Sequence, residues 1–413
     1  MFYGWRVVAG AFVGMVLVNG FFTYAFTILV NPIREEFGAS LEQVMYSLTI
    51  GTLCGLVVAP TTGILIDRYS VRLLMTAGCL LTAAGFYLIA IADSILVFNI
   101  SVGITMAIAM AMAGSMSGSA AVSRWFTSSL GKAMGIASMG TSLGGILVPA
   151  LLTWWIEIDG WRGAMKNLSL STLLVVTPFI WLTVRSRPAD VGLQAEGMQA
   201  PADSLTPAPI AALSMAQIIR IPAFWFIGLS MGMVFSAFAS MLANLSPYAA
   251  RLGIGEAGIS TMIAVLAVGG LVGKISFGIA ADRINLKLGL WTAHTLLGTA
   301  FLILIFEPPY ALMLVAAACF GLSTGGLLPV WNAMVAKLFG VDSFGRAMGA
   351  MGPLITACII PAYIIVGRLF DSTGNYTAGL VLFGGAIGLA ALLLIPLQLS
   401  DSADVQRSGA TSA

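Results

Sequence analysis

The chain has 413 residues, of which 59% are hydrophobic and only 9% charged, with a mean hydropathy of +0.99. A soluble domain carries about 25% charged residues, so this composition excludes a water-soluble globule, and its apolar excess excludes intrinsic disorder. A membrane-embedded chain remains, in which each helical span takes about 20 apolar residues and the 19 Lys/Arg and 17 Asp/Glu must concentrate in loops.

Apolar runs read against charged breaks predict twelve spans: 6–30, 43–66, 73–92, 95–119, 133–155 and 163–184, then 221–244, 258–281, 288–306, 309–333, 347–370 and 376–399. The first run continues to Val30, too long for the core of a secretion signal, and is read as a permanent span. With the N-terminus in the cytoplasm, thirteen Lys/Arg fall on cytoplasmic segments and five on outer ones. That asymmetry places both termini inside. The expectation is a monomeric, multi-pass protein of a bacterial inner membrane, with the lipid bilayer as its surroundings. A net charge of +2 and the lack of a basic run exclude nucleic acid as a partner. Cys54, Cys79, Cys319 and Cys358 lie inside apolar runs without metal spacing, so they read as packing residues. No metal or cofactor is expected.

An internal repeat divides the chain. GILIDRYSVR (63–72) recurs as GIAADRINLK (278–287), GKAMG (131–135) as GRAMG (345–349), and the Pro32…Phe37-Gly38 turn as Pro247…Leu252-Gly253, all offset by 214 or 215 residues. The predicted organisation is a six-helix half over 1–184, a cytoplasmic linker over 185–220, a second half over 221–399 and a cytoplasmic tail over 400–413. The Pro-, Ala- and Ser-rich linker reads as a flexible or partly extended connector. The fold class is therefore all-α, with twelve transmembrane helices in two pseudo-symmetric six-helix halves. Parallel halves are the plan of many secondary transporters, with a site near the midplane and alternating access by rocking.

GILIDRYSVR resembles the cytoplasmic signature of the major facilitator superfamily, carried here by Gly63, Asp67, Arg68 and Arg72, with a second copy at Gly278, Asp282 and Arg283. Gly lets two helices approach closely, and Asp and Arg at a helix end pair with each other or with a helix terminus. The expected role is a cytoplasmic gate, completed by Arg124, Lys132 and Arg346; a simple topology anchor is the alternative. More narrowly, YGWRVVAGAF…YAF, SRWF…LGKAMG, GWRGA, RSRPADVGL, LSPYAARLG, GKISFGIAADR and GRLFDSTGNY are similar to the monocarboxylate porter and oxalate:formate antiporter group.

One charge stands in the wrong place for a loop residue. Lys274 precedes Asp282 by eight residues, which at 1.5 Å per residue is roughly 12 Å inside the helix. A Lys at a helix centre costs about 2.5–3.5 kcal/mol on the insertion scale, and no Asp or Glu lies within the predicted spans to neutralise it. A carboxylate substrate fits such a cation; snorkelling of the Lys stem is the structural alternative. The resemblance implies an Arg here that contacts substrate carboxylate. Lys is a departure, offering a point charge without the bidentate fork and a proton that is lost more readily on desolvation. Other departures are the lack of a Lys after YAFTIL, of a cation in PLITACIIPAY, and Gly270 where the porters have an Asp. One cation suits a monoanion better than a dianion.

Asn19, Thr23, Thr27 and Asn31 form one slowly winding polar stripe on the first span, repeated by Ser236, Ser240 and Asn244 on the seventh. The superfamily plan makes these two helices cavity-lining; helix–helix hydrogen bonding is the alternative. Tyr24, Trp331, Asn332 and Tyr363 are further candidate contacts for a carboxylate, or packing and interfacial residues. His294, the single histidine, reads as structural with a proton relay in reserve, and Lys274 is the other proton-coupling candidate. The expected function is secondary transport of small organic anions, monocarboxylates first, by alternating access with proton symport or anion exchange. Export of amphipathic drugs or aromatic metabolites is the alternative. An enzyme is excluded, since the spans hold no metal cluster, nucleophile–base pair or paired carboxylates.

Overall fold

The computed structural model describes residues 2–197 and 213–397. The predicted tail over 400–413 and the middle of the linker lie outside the described residues. Long apolar helices dominate. α1 runs from Gly4–Asn19 through a π-helical turn, Gly20–Ala25, into Phe26–Phe37. α2 is Leu41–Arg68, α3 Val71–Ala90 and α4 Ile95–Ser123. A continuous helical stretch, Leu130–Thr183, is divided at Gly160, whose φ of +68° and ψ of 174° only glycine adopts easily; the parts are α5 (130–159) and α6 (161–183). Then follow α7 Pro222–Arg251, α8 Glu256–Ala281, α9 Leu286–Ile305, α10 Tyr310–Phe339, α11 Phe344–Thr373 and α12 Thr377–Leu393. Among the described residues these are the twelve predicted membrane helices.

Local chemistry sets the ends. Ser40 and Gln43 form a reciprocal capping box at the start of α2, Ser70, Ser94 and Asn285 cap α3, α4 and α9, and Pro222 opens α7. The sequence repeat is also a backbone repeat. Gly38 after α1 and Gly253 after α7 both take positive φ, +60° and +79°, and Pro32 and Pro247 lie inside those two helices.

Packing sorts the chain into two compact units, Met1–Pro207 with Val341–Gly349, and Ala208–Gly340 with Ala350–Ala413. The first turns of α11 thus belong to the first unit. The core of that unit includes Leu17, Phe21, Phe26, Phe86, Phe98 and Leu152. At one end, Glu36 of α1 forms an ion pair with Arg162 at 2.7 Å and accepts from the Trp161 indole, while Arg162 donates to the carbonyls of Ala90 and Ala92. The GWR sequence therefore ties the ends of α1, α3 and α6.

The start of the linker, expected to be flexible or partly extended, is docked. Glu196 makes a parallel bridge with Phe126, its N–H donating to the Trp125 carbonyl at 2.9 Å and its carbonyl accepting from Thr127 N–H at 3.1 Å. Its carboxylate accepts from Ser129 at the start of α5. Met215–Arg220 forms a short helix before α7. Composition could not reveal a pairing between one acidic residue and a loop 70 positions earlier.

Candidate functional site

Several of the predicted gate residues meet inside the first unit. The Asp67 side chain, at the C-terminal end of α2, is fully buried and lies 3.1 Å from Arg346 Nε. Its two oxygens each accept a backbone N–H from the first turn of α11, Gly345 and Arg346, both at 2.9 Å. The first N–H groups of any helix lack intrahelical acceptors, and the helix dipole favours an anion there. Asp67 therefore caps α11 from another helix. This approach needs glycine: a Cβ at Gly63 would lie 2.2 Å from the Gly345 carbonyl oxygen, and one at Gly345 would lie 2.5 Å from that of Gly63.

Arg124, just beyond α4, is buried and donates to the Ile66 carbonyl at 2.8 Å, in the last turn of α2. Burial, followed by the neighbouring Arg187, presses its guanidinium below its ordinary value, against the carboxylates of Asp67, Asp342 and Asp190. Arg68 and Arg283 are exposed. Lys132 lies 5.5 Å from the centre of the Trp5 ring, Asp282 follows the last residue of α8, and Arg72 packs on Trp181 of α6.

In the second unit Lys274 is 8% exposed, in a helix stripped of side chains where it meets α10. A Cβ at Gly273 would come within 2.4 Å of the Leu322 carbonyl oxygen, one at Gly325 within 2.1 Å of that of Gly270, and one at Gly326 within 2.4 Å of the Phe277 ring. Backbone-to-backbone packing of this kind is the membrane use of small residues. Trp331 and Asn332 of α10 are also buried, at 8% and 2% exposure. The Trp331 ring meets Phe235 of α7 edge-on at 5.9 Å, and its indole N–H has no hydrogen-bond partner among the described residues. These contacts set Lys274 beside the Gly325 level, so Trp331 and Asn332 follow about 10 Å further along α10.

The remaining candidates lie on α1, α7 and α11. Asn19 donates to the Met15 carbonyl at 3.3 Å and to Ser115 Oγ at 3.4 Å. Just after it the π turn, closed by Phe26 N–H on the Phe21 carbonyl, inserts a residue into the helical phase, so the four-residue spacing does not keep one face. Such turns concentrate at functional positions. Tyr24 lies in this turn, 44% exposed, with its ring over Gly145. The side chain of Thr27 lies outside the described residues. In α7 the polar stripe is bonded along its own helix: Ser240 donates to the Ser236 carbonyl and Asn244 Nδ2 to the Ser240 carbonyl, both at 2.8 Å. Asn244 borders a small recess with Phe301, Phe370, Asn375 and Tyr376. It is seven residues from the far end of α7, whereas Lys274 is eight from Asp282 at the opposite end of α8. Counted from Arg251 and Glu256, where the two helices adjoin in sequence, about 16 Å of helix rise separates them. Tyr363 is exposed on α11. Because a Cβ at Gly145 would stand 2.9 Å from the Tyr24 ring, Gly145→Val is expected to displace that ring. The expected cost is about 1–3 kcal/mol, read as a lower Tm together with a raised KM for uptake.

His294 of α9 is 1% exposed and joins three helices. Its Nδ1 is 2.6 Å from the Leu290 carbonyl and its Nε2 3.0 Å from Ser230 Oγ of α7, which in turn is 2.9 Å from the Ala390 carbonyl of α12. With Nδ1–H donating to Leu290, the single Ser230 hydroxyl proton has two acceptors, the Ala390 carbonyl and Nε2. His294→Ala is expected to lower stability by about 1–3 kcal/mol, measured as a fall in Tm in the purified protein.

A glycine-seamed helical pair with a buried cation, and a carboxylate capping a helix from another element, are features of closely packed membrane helices. The profile of the Major Facilitator Superfamily matches residues 10–355. The chain belongs to the major facilitator superfamily. It is a multi-pass membrane transporter, not an enzyme. Relatives within this superfamily include mouse Monocarboxylate transporter 12, 24% identical across 95% of this chain and 85% of that one. Human Monocarboxylate transporter 11 is 25% identical, with 96% and 83% covered. The Fujikurins efflux protein of Gibberella fujikuroi (strain CBS 195.34 / IMI 58289 / NRRL A-6831) is 26% identical, with 95% and 81% covered. Among solved superfamily structures, the human organic anion transporter MFSD10 (TETRAN) matches with a TM-score of 0.73 at 17% identity, over 95% of this chain and 99% of that one. The proton:xylose symporter XylE matches at 0.68 and 16% identity, over 98% and 99%. These structural likenesses concern the fold.

Sequence reasoning missed three contributors to this geometry. Gly345 is one half of the close approach that seats Asp67, and its only signal was the GRAMG repeat. Glu36 and Glu196 stood in loops, where an acidic residue reads as solvated until its partners are seen.

Proposed function

We propose that this transporter carries small monocarboxylates by alternating access, with the Lys274 ammonium meeting the substrate carboxylate. The observation that carries the reading is Lys274 itself, a cation 8% exposed and about two turns inside α8. A retained charge at that depth needs a functional return for its insertion cost. Mammalian relatives named monocarboxylate transporters, at 24–25% identity over nearly the whole chain, support the substrate class. Trp331 supports it chemically, since its buried indole N–H is a donor left for an acceptor to take. Asn332 and Tyr363, of the same unit, are the candidate second contacts; Asn244, at another level of that unit, is not.

In this reading both termini face the cytoplasm of a plasma-membrane protein, and Asp67, Arg124 and Arg346 form the cytoplasmic latch. Lys274 and His294 are the groups that would couple uptake to protons; anion exchange is the other source of energy. The test is uptake of two- to six-carbon acids into proteoliposomes, with and without an imposed pH gradient. Saturable uptake of a monocarboxylate is expected. No uptake of any acid in either direction overturns the assignment, and indifference to the pH gradient replaces symport by exchange.

The efflux relative favours a second reading, export of an amphipathic metabolite. Thermal stabilisation by ligand separates the two, because only a bound compound raises Tm. Carboxylates raising Tm supports the first reading, and hydrophobic cations or neutral aromatics alone raising it supports the second.

A further inference from the structure

At the Asp67 end of the first unit, α3 and α6 hold two guanidinium groups against one carbonyl. Arg72 Nε donates to the Trp181 carbonyl at 2.9 Å, and Arg185 Nη1 donates to the same oxygen at 3.0 Å and to the Val184 carbonyl at 3.2 Å. Arg72 is further fixed by stacking 3.5 Å over the Trp181 ring. Neither Arg forms an ion pair with a carboxylate among the described residues. Capping the end of α6 accounts for one edge of each fork and leaves the others without protein acceptors. Two like charges held side by side repel each other, and an anion bound between them relieves that repulsion.

The surroundings say which anion. Leu73, beside Arg72, is 55% exposed, Leu182 65% and Trp181 39%, which is a lipid-facing surface. Further along the same two helices α3 and α6 part into a mostly apolar groove of ≈ 500 Å³, lined by Leu80, Ala83, Tyr87 and Leu173, with Lys166 and Ser169 of α6 also on its wall. The groove runs from Leu80, about 12 Å along α3 from Arg72, to Tyr87 at about 22 Å, so a chain from Arg72 enters its near end within half of a hydrocarbon core about 30 Å thick. Planar guanidinium forks match phosphate oxygens, and basic pockets between transmembrane helices recognise anionic lipid headgroups.

We propose that Arg72 and Arg185 form a binding site for the phosphate of an anionic phospholipid, whose acyl chain lies along the α3–α6 seam. The purified full chain, equilibrated with equimolar phosphatidylglycerol and phosphatidylcholine, is examined by native mass spectrometry. Phosphatidylglycerol is expected to be retained at least about tenfold over phosphatidylcholine. The double variant Arg72→Gln/Arg185→Gln is expected to lose that preference, while Arg68→Gln/Arg220→Gln, two exposed cations outside the seam, keeps it. Should the Gln pair not fold, two other variants carry the test. Arg72→Lys/Arg185→Lys keeps the charge but lacks the fork and is expected to retain less lipid, and Leu182→Glu places an anion beside the site and is expected to expel it. Equal retention of the two lipids, or an unchanged preference in the folded variants, overturns the proposal. Displacement of the lipid by inorganic phosphate at equal concentration also overturns it, in favour of a soluble anion.

Discussion

Lys274→Ala is expected to abolish most carboxylate uptake while leaving a folded protein. A hydrogen bond to a charged group contributes about 1.5–3 kcal/mol, so at subsaturating substrate the loss is roughly 10- to 150-fold. Stability is expected to hold or rise, because the substitution removes a charge from an apolar helix rather than leaving one behind. Lys274→Arg distinguishes charge from shape: it restores a cation with a different donor geometry and is expected to recover part of the uptake. Thermal stabilisation by the carboxylate provides the second measurement, and Lys274→Ala is expected to lose it. Parent-like uptake and ligand stabilisation in Lys274→Ala would remove this residue from the site and leave snorkelling as its explanation.

The second large effect lies at Asp67. Asp67→Asn removes the partner of Arg346 and turns one acceptor into a donor facing a backbone N–H of α11. Removing one member of a buried pair costs about 3–5 kcal/mol, enough to move a two-state equilibrium by more than a hundredfold. Ala347, in the same first turns of α11, is fully buried. With the four native cysteines replaced by alanine, labelling of Ala347→Cys by a soluble maleimide is expected to rise at least about tenfold when Asp67→Asn is added. Gly63→Ala is expected to have the same effect by a different route, since its Cβ would collide with the Gly345 carbonyl. If uptake and labelling both match the parent in Asp67→Asn, the latch does not control access.

Much of this architecture was legible because membrane helices obey a one-dimensional rule. An apolar run of sufficient length must be helical, since backbone groups in lipid have no other partners, and the charged breaks mark its ends. The offset repeat identified the paired Pro32/Gly38 and Pro247/Gly253 turns, and in the structure both glycines take positive φ. The candidate site was legible only in part. Lys274 was conspicuous from composition, because a charge in an apolar run needs no partner to be noticed. The polar stripe of α1 was less secure, since one π turn at Gly20–Ala25 shifts the phase on which it rested. Asn244 shared a motif with the cavity candidates, yet helix rise puts it about 16 Å from the level of Lys274.

The sequence by itself determined the membrane class, the twelve spans, the two-fold repeat, the superfamily resemblance and the depth of Lys274. Each depends on the order of residues along a helix or on an offset along the chain. Only the tertiary structure decided which charges meet. Asp67 reaches the N–H groups of Gly345 and Arg346, nearly 280 positions away, Glu196 docks on the Phe126 loop, and Arg72 and Arg185 converge on one carbonyl. Polar contacts act over about 3 Å and depend on direction, so they are fixed by the packing of helices that the sequence does not place side by side.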